Sequence, residues 1–128
     1  MKRILIVEDQ EDLRAILRDI LTATGYTVIE AFDGVEGVAK ARSEHPDLVL
    51  MDIQLPVLDG YDATRQIKTL PGLAAIPIIA VSSFAMKGDE EKARASGCDG
   101  YVTKPYSPVQ LLRIIQGYLG DTDEHALL

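Results

Sequence analysis

Five short apolar runs alternate along the chain with five segments in which apolar residues recur every three or four positions. The runs are Lys2 to Val7, Thr27 to Ala31, Asp47 to Met51, Pro77 to Val81 and Tyr101 to Thr103. Their near-continuous apolar character, clearest in Leu48-Val49-Leu50-Met51, predicts strands buried on both faces. Between the first two runs, Leu13, Ile16, Leu17, Ile20 and Leu21 fall at helical spacing, and Gly25 is placed to end that helix in a left-handed conformation. Asp33-Gly34-Val35-Glu36 resembles a capping box opening a second helix, with Val35, Val38 and Ala39 expected inward and an end before Pro46. A third helix is predicted over Tyr61 to Leu70, anchored by Ile67 and closed by Pro71-Gly72. A polar fourth helix is predicted from about Phe84 to Ser96, closed by Gly97. Ser107-Pro108 supplies a capping hydroxyl and a first-turn proline for the fifth helix, whose buried stripe is Leu111, Leu112, Ile115 and Leu119.

Strictly alternating apolar strands and helices imply parallel strands, right-handed crossovers and helices on both sheet faces. The expectation is an α/β, doubly wound, five-stranded parallel sheet forming one domain over residues 1–120. The acidic stretch 121–128 lacks an apolar stripe and is expected to fray. A chain of 128 residues can bury roughly two-thirds of its unfolded surface, so this unit should fold alone.

Charge narrows the partners. The formal net charge of −7 argues against affinity built on nucleic-acid phosphates or acidic lipid. The longest apolar run, Leu73 to Val81, is interrupted by Pro77 and is too short to cross a bilayer. The first run meets Glu8-Asp9 without the features of a signal peptide. A cytoplasmic location is therefore expected, with neither nucleic acid nor membrane as partner. Cys98 is the single cysteine and reads as a small buried residue; His45 and His125 read as surface residues.

Parallel strands place all their carboxyl ends on one edge, where such sheets hold ligands. Glu8 and Asp9 follow the first strand, Asp52 the third, Ser82 the fourth and Lys104 the fifth. Each has an ordinary explanation when taken singly: a helix-start acid, a strand-end cap, a turn hydroxyl, a surface lysine. Their convergence on one edge makes a shared reaction the better reading. Three neighbouring carboxylates repel one another by about 1 kcal/mol per pair in water at ~4 Å, and more when buried. Lys104 offers one compensating charge, and a hard cation such as Mg²⁺ suits the remaining carboxylates. A phosphoryl group at Asp52 would meet the cation, the ammonium and the Ser82 hydroxyl, which is the positioning that phosphoryl transfer requires.

Leu5-Ile6-Val7-Glu8-Asp9, Leu50-Met51-Asp52-Ile53-Gln54-Leu55-Pro56, Ala80-Val81-Ser82 and Gly100-Tyr101-Val102-Thr103-Lys104-Pro105 together resemble the motif set of two-component response-regulator receiver domains. The resemblance spans essentially the whole chain. It implies a CheY-like, flavodoxin-like sheet of order 2-1-3-4-5. It further implies that Asp52 accepts a phosphoryl group from a sensor histidine kinase or histidine phosphotransfer protein. Asp9 would bind Mg²⁺ directly, Glu8 through water, and Asp52 and the Gln54 backbone carbonyl would complete the protein ligands. Lys104 would bind the phosphoryl group and precede a cis proline bond. Ser82 and Tyr101 would be the switch residues, altering the face made by the fourth helix, fifth strand and fifth helix for a downstream protein effector.

With no output segment after the fifth helix, the chain resembles a stand-alone receiver, similar to DivK-type single-domain regulators and to hybrid-kinase receivers, either monomeric or dimerising on phosphorylation. A phosphate sink or relay shuttle is the alternative role. It would not be a conventional enzyme, its chemistry being its own phosphorylation and autodephosphorylation. Ser82 stands where many members have threonine and Ser83 where alanine or glycine is common; the resemblance implies that the Gln54 and Ser83 side chains border the route of an attacking water and so bear on the lifetime of the phosphorylated form. A metal-dependent aspartyl phosphatase would usually carry an acid at the Gln54 position, and Glu8-Asp9-Gln10-Glu11-Asp12 would repel a flavin phosphate. A vestigial docking module would not need all five polar side chains.

Overall fold

The computed structural model describes residues 2–83 and 88–120. The strands are β1 (Arg3–Val7), β2 (Thr27–Ala31), β3 (Leu48–Asp52), β4 (Ile78–Ser82) and β5 (Gly100–Thr103). They alternate with α1 (Glu11–Ala23), α2 (Gly34–Glu44), α3 (Gly60–Lys68), α4 (Asp89–Ala95) and α5 (Pro108–Leu119). All strand pairs are parallel, in the order β2-β1-β3-β4-β5. This is the expected doubly wound sheet, with β3 at its centre.

Successive side chains of a strand point to opposite faces, and here both faces are covered. Leu5, Val7, Val49, Met51, Ile78 and Ala80 meet Val38 and Ala41 of α2, Ala63 and Ile67 of α3 and Ala93 of α4. Ile4, Ile6, Leu48, Leu50 and Ile79 meet Leu17 and Leu21 of α1 and Leu111, Leu112 and Ile115 of α5. The uninterrupted apolar strands therefore follow from two-sided burial rather than from exceptional hydrophobicity. Cys98 is buried beneath the α3–α4 side, as its small apolar character implied.

Local signals set the helix ends. Gly25, at φ +101°, follows the α1 C-cap Thr24, and Tyr26 N–H bonds back to Leu21 O. The Asp33 side chain accepts from Glu36 N–H at 2.7 Å, while Glu36 Oε1 accepts from Phe32 N–H at 3.1 Å. The reciprocal cap thus forms, displaced by one residue on the return bond. Asp59 caps α3 through Asp62 N–H, and Ser107 caps α5 through Gln110 N–H with Pro108 in the first turn.

Three expectations need correction. In α2 the inward positions are Gly34, Gly37, Val38 and Ala41, whereas Val35 and Ala39 are exposed. The helix lies too close to β1 for larger residues: a Cβ on Gly37 would sit 2.9 and 3.0 Å from the two methyl carbons of Val7. In α1, Ile16 is 55 % exposed, because Leu17 and Leu21 occupy the sheet-facing line and Ile16 lies beside the β5–α5 connection. The α4 helix starts at Asp89 after Gly88, which has φ +93°. The expected beginning at Phe84, and the tail with His125, lie outside the described residues.

Candidate functional site

Strand register explains how distant residues converge. Val7 pairs with Met51, so Glu8 emerges level with Asp52. Asp52 pairs with Val81, which leaves Ser82 one residue farther out. Ser82 pairs with Thr103, so Lys104 leaves the sheet one step beyond Ser82. Its long aliphatic stem lets the ammonium reach back across the edge to the acids. The connection leaving β5 is further fixed by Lys104 N–H donating to Ser82 O at 2.7 Å, and the Lys104–Pro105 bond is cis.

The resulting pocket is strongly coupled. Lys104 Nζ donates to Glu8 Oε1 at 3.0 Å and stands 3.6 Å from Asp52 Oδ2. Glu8 and Asp52 are buried, whereas Asp9 is exposed at the rim. Gln10 N–H donates to Glu8 Oε2 at 3.1 Å, and Gln54 N–H donates to Asp52 Oδ1 at 3.0 Å. Gly60 lets the start of α3 approach the Asp52 main chain, since a Cβ there would collide with Asp52 O.

Electrostatics divide the two buried acids. Burial, followed by the adjacent Glu8 carboxylate, pushes the Asp52 carboxyl up from 3.8 to about 7, against the pull of Lys104 and Gln54 N–H. Burial also works to raise Glu8, but hydrogen bonds from Gln10 N–H, the Asp52 carboxyl and Lys104 together leave it below its ordinary value. Asp9 is raised by burial and then by Glu8. Glu8, Asp9 and Asp52 each offer an oxygen within 4.8 Å of the others. This all-oxygen, acidic and partly open set suits a hard divalent cation.

Glu8, Asp9, Asp52, Gln54, Ser82 and Lys104 lie at this edge, whereas Tyr101 sits within β5, paired with Ala80 two residues before Ser82. Ser82 is fully buried at the end of β4, and Tyr101 is half-buried, packed against the core on the α4 side. Two supporting contacts were missed. Arg14 Nη1 donates to Glu8 O at 2.8 Å while its Nε pairs with Glu30 at 3.3 Å, holding the acidic loop from α1. The Gln54 carboxamide donates from Nε2 to Ser82 Oγ and accepts through Oε1 from Ser83 N–H, both at 3.0 Å. A polar side chain two residues after Asp52 was the available signal for the second; its partners depend on how the loop folds.

Comparison with known proteins agrees with this geometry. Residues 4–116 match the model of the response regulator receiver domain. The chain is 47 % identical over 120 residues to the polar-differentiation response regulator DivK of Brucella ovis, covering 94 % of this chain and 98 % of that protein. The receiver domain of the sensor histidine kinase PA1611 from Pseudomonas aeruginosa, a structure with a magnesium ion coordinated in its active-site cleft, superposes with a TM-score of 0.87 at 38 % identity, covering 93 % of this chain and 98 % of that one. The chemotaxis protein CheY4 of Vibrio cholerae gives a TM-score of 0.89 at 28 % identity, covering 93 % and 99 %. From its motifs, sheet order and acidic pocket to these relatives, the chain belongs to the response regulator receiver domain family of two-component signalling.

Proposed function

We propose that residues 1–120 form a phosphoacceptor domain that takes a phosphoryl group from a phosphohistidine donor onto Asp52. The observation that carries this reading is the placement of Lys104 Nζ 3.0 Å from Glu8 and 3.6 Å from Asp52, beside the three-carboxylate cluster. Glu8, Asp9, Asp52 and the Gln54 backbone carbonyl would hold Mg²⁺, a proposal supported by the acidic oxygen set and by the magnesium ion in the Pseudomonas receiver. Bound there, the cation supplies positive charge to the carboxylates and phosphoryl oxygens.

Asp52 must release its proton before it can attack. Lys104 favours the charged form, and the Gln54 N–H steadies the other carboxylate oxygen. One Asp52 oxygen then forms a bond to phosphorus while the phosphorus–imidazole bond breaks, its electron pair leaving on the donor nitrogen. Lys104 is placed to compensate charge on the transferred group. Hydrolysis later returns the phosphoryl group to water and restores the Asp52 carboxylate.

The added charge and acceptor oxygens favour movement of the Ser82 hydroxyl toward the phosphoryl group. Tyr101 lies on the adjacent strand, where Ala80 pairs with it, and can respond to that movement. The α4, β5 and α5 face is thereby offered to a protein effector, with a histidine kinase or phosphotransfer protein upstream. Similarity to the response regulator DivK supports a signalling role for the chain. The net charge of −7 fits protein rather than nucleic-acid partners, and no described helix is long and apolar enough to cross a membrane, in keeping with a proposed cytoplasmic setting.

The test is intact-protein mass after incubation with a small acyl phosphate, with Mg²⁺ or a chelator, for the native chain and Asp52→Ala. One phosphoryl adduct requiring both Mg²⁺ and Asp52 is expected. An adduct retained by folded Asp52→Ala, or formed equally in chelator, would refute the assignment.

A further inference from the structure

Gln54 touches both the proposed phosphoacceptor and the hydroxyl expected to move after phosphorylation. Its main-chain N–H bonds to Asp52 Oδ1, its carboxamide nitrogen to Ser82 Oγ, and its carboxamide oxygen to Ser83 N–H, each at 3.0 Å. Ser82 is fully buried, whereas Ser83 is exposed immediately after β4. The two side-chain bonds therefore tie the last buried residue of the strand and the first exposed residue of the following loop to the loop after β3.

We infer that the Gln54 carboxamide is a clasp that holds Ser82 and Ser83 in their resting arrangement and opens when a phosphoryl group occupies Asp52. This rests on the phosphoacceptor reading of Asp52. The physical basis is the shared amide: displacing Ser82 toward the phosphoryl group separates its Oγ from Gln54 Nε2, and carrying Ser83 along separates its N–H from Oε1. Two hydrogen bonds then oppose the movement together. The main-chain bond to Asp52 is independent of the side chain, so truncation of the carboxamide leaves the pocket's backbone contacts available. Gln54 is thus a positioning residue that sets how readily the domain leaves its resting form.

The experiment measures beryllofluoride binding, as a non-covalent phosphoryl mimic, to the full chain at fixed Mg²⁺. It compares native protein with Gln54→Ala and Gln54→Met, the latter retaining most of the side-chain volume. Both variants should bind the mimic about tenfold more tightly, the scale expected from removing two neutral hydrogen bonds that stabilise only the resting form. Exchange of the Ser83 amide proton in the unliganded variants should be about tenfold faster than in the native chain, and thermal unfolding checks that each variant is folded. The gain in mimic affinity should shrink when Gln54→Ala is made in a Ser82→Ala background, an outcome not required by loss of packing alone. Unchanged or weaker binding by both folded variants, while the native chain binds normally, would overturn the clasp and leave the phosphoacceptor reading intact. Absence of mimic binding by the native chain in Mg²⁺ would overturn both.

Discussion

Replacing Asp52 by asparagine should stabilise the metal-free domain, and the gain should grow with pH. Burial and Glu8 raise the Asp52 carboxyl from 3.8 to about 7. The folded chain consequently retains a proton there over a range in which the unfolded chain has lost it. Stability falls as pH rises through this window, and the electrostatic cost is complete only above the folded value. Glu8 has the opposite sign: its lowered carboxyl contributes stability above its ordinary 4.5 that is lost on acidification, and this contribution is essentially complete by about pH 5. Between about pH 5 and pH 8 the Asp52 effect therefore dominates, with an upper scale of about 3 kcal/mol at 1.4 kcal/mol per pH unit. Charge compensation within the coupled pocket makes about 2 kcal/mol the working expectation. Urea unfolding of native and Asp52→Asn chains in chelator should show their difference widening by that amount from pH 5 to pH 8. Saturating Mg²⁺ should narrow it, because the cation stabilises the ionised native pocket and has lost a ligand in the variant. A pH-independent difference, or a gap that Mg²⁺ widens in favour of asparagine, would refute the reasoning.

Other perturbations probe the supporting structure. Gly37→Ala should cost about 1–2 kcal/mol in urea unfolding, because crowding against Val7 outweighs alanine's helix preference; a stabilised variant would show that α2 can move away without loss. Val57 is 95 % exposed and sits at φ +67°, where a β-branched residue is disfavoured. Val57→Asn should accordingly raise stability by about 1 kcal/mol without loss of buried area, measured by the urea midpoint. Asp99 Oδ2 accepts from Ile78 N–H at 2.9 Å and from Lys68 Nζ at 2.9 Å. Asp99→Ala should cost about 2 kcal/mol through the unsatisfied strand amide, while Asp99→Asn keeps an acceptor and should cost less; equal losses by calorimetry would assign the effect to the ion pair instead.

Much of this architecture is legible in the chain because parallel strands need apolar residues on both faces. Leu48-Val49-Leu50-Met51 marks the central strand, and the polar residues at the strand ends mark the pocket. The helix faces were less direct. In α2, a search for large apolar residues favours Val35, but close packing against Val7 demands Gly34 and Gly37, whose small size carries no hydrophobic signal. Ile16 completes an apolar stripe by spacing, yet Leu17 and Leu21 take the sheet-facing line and leave it largely exposed. The carboxylates and Lys104 were visible as a set because topology alone brings them together. The role of Arg14 and the bonds of the Gln54 carboxamide to Ser82 and Ser83 are not legible in this way, because they depend on side-chain reach across folded loops.

The opposite end of the sheet holds a different kind of chemistry. There Asp47 and Arg3 exchange main-chain and carboxylate bonds, with Asp47 N–H on Arg3 O at 2.8 Å and Arg3 N–H on Asp47 Oδ2 at 2.7 Å. Lys68 joins Ile76 O to Asp99, and Asp99 in turn holds Ile78 N–H. These fastenings lie a strand's length from the reactive edge, and each ties a side chain to the backbone of a neighbouring segment. Residues around the pocket can therefore be exchanged without touching the contacts that fasten the far ends of β1, β3, β4 and β5.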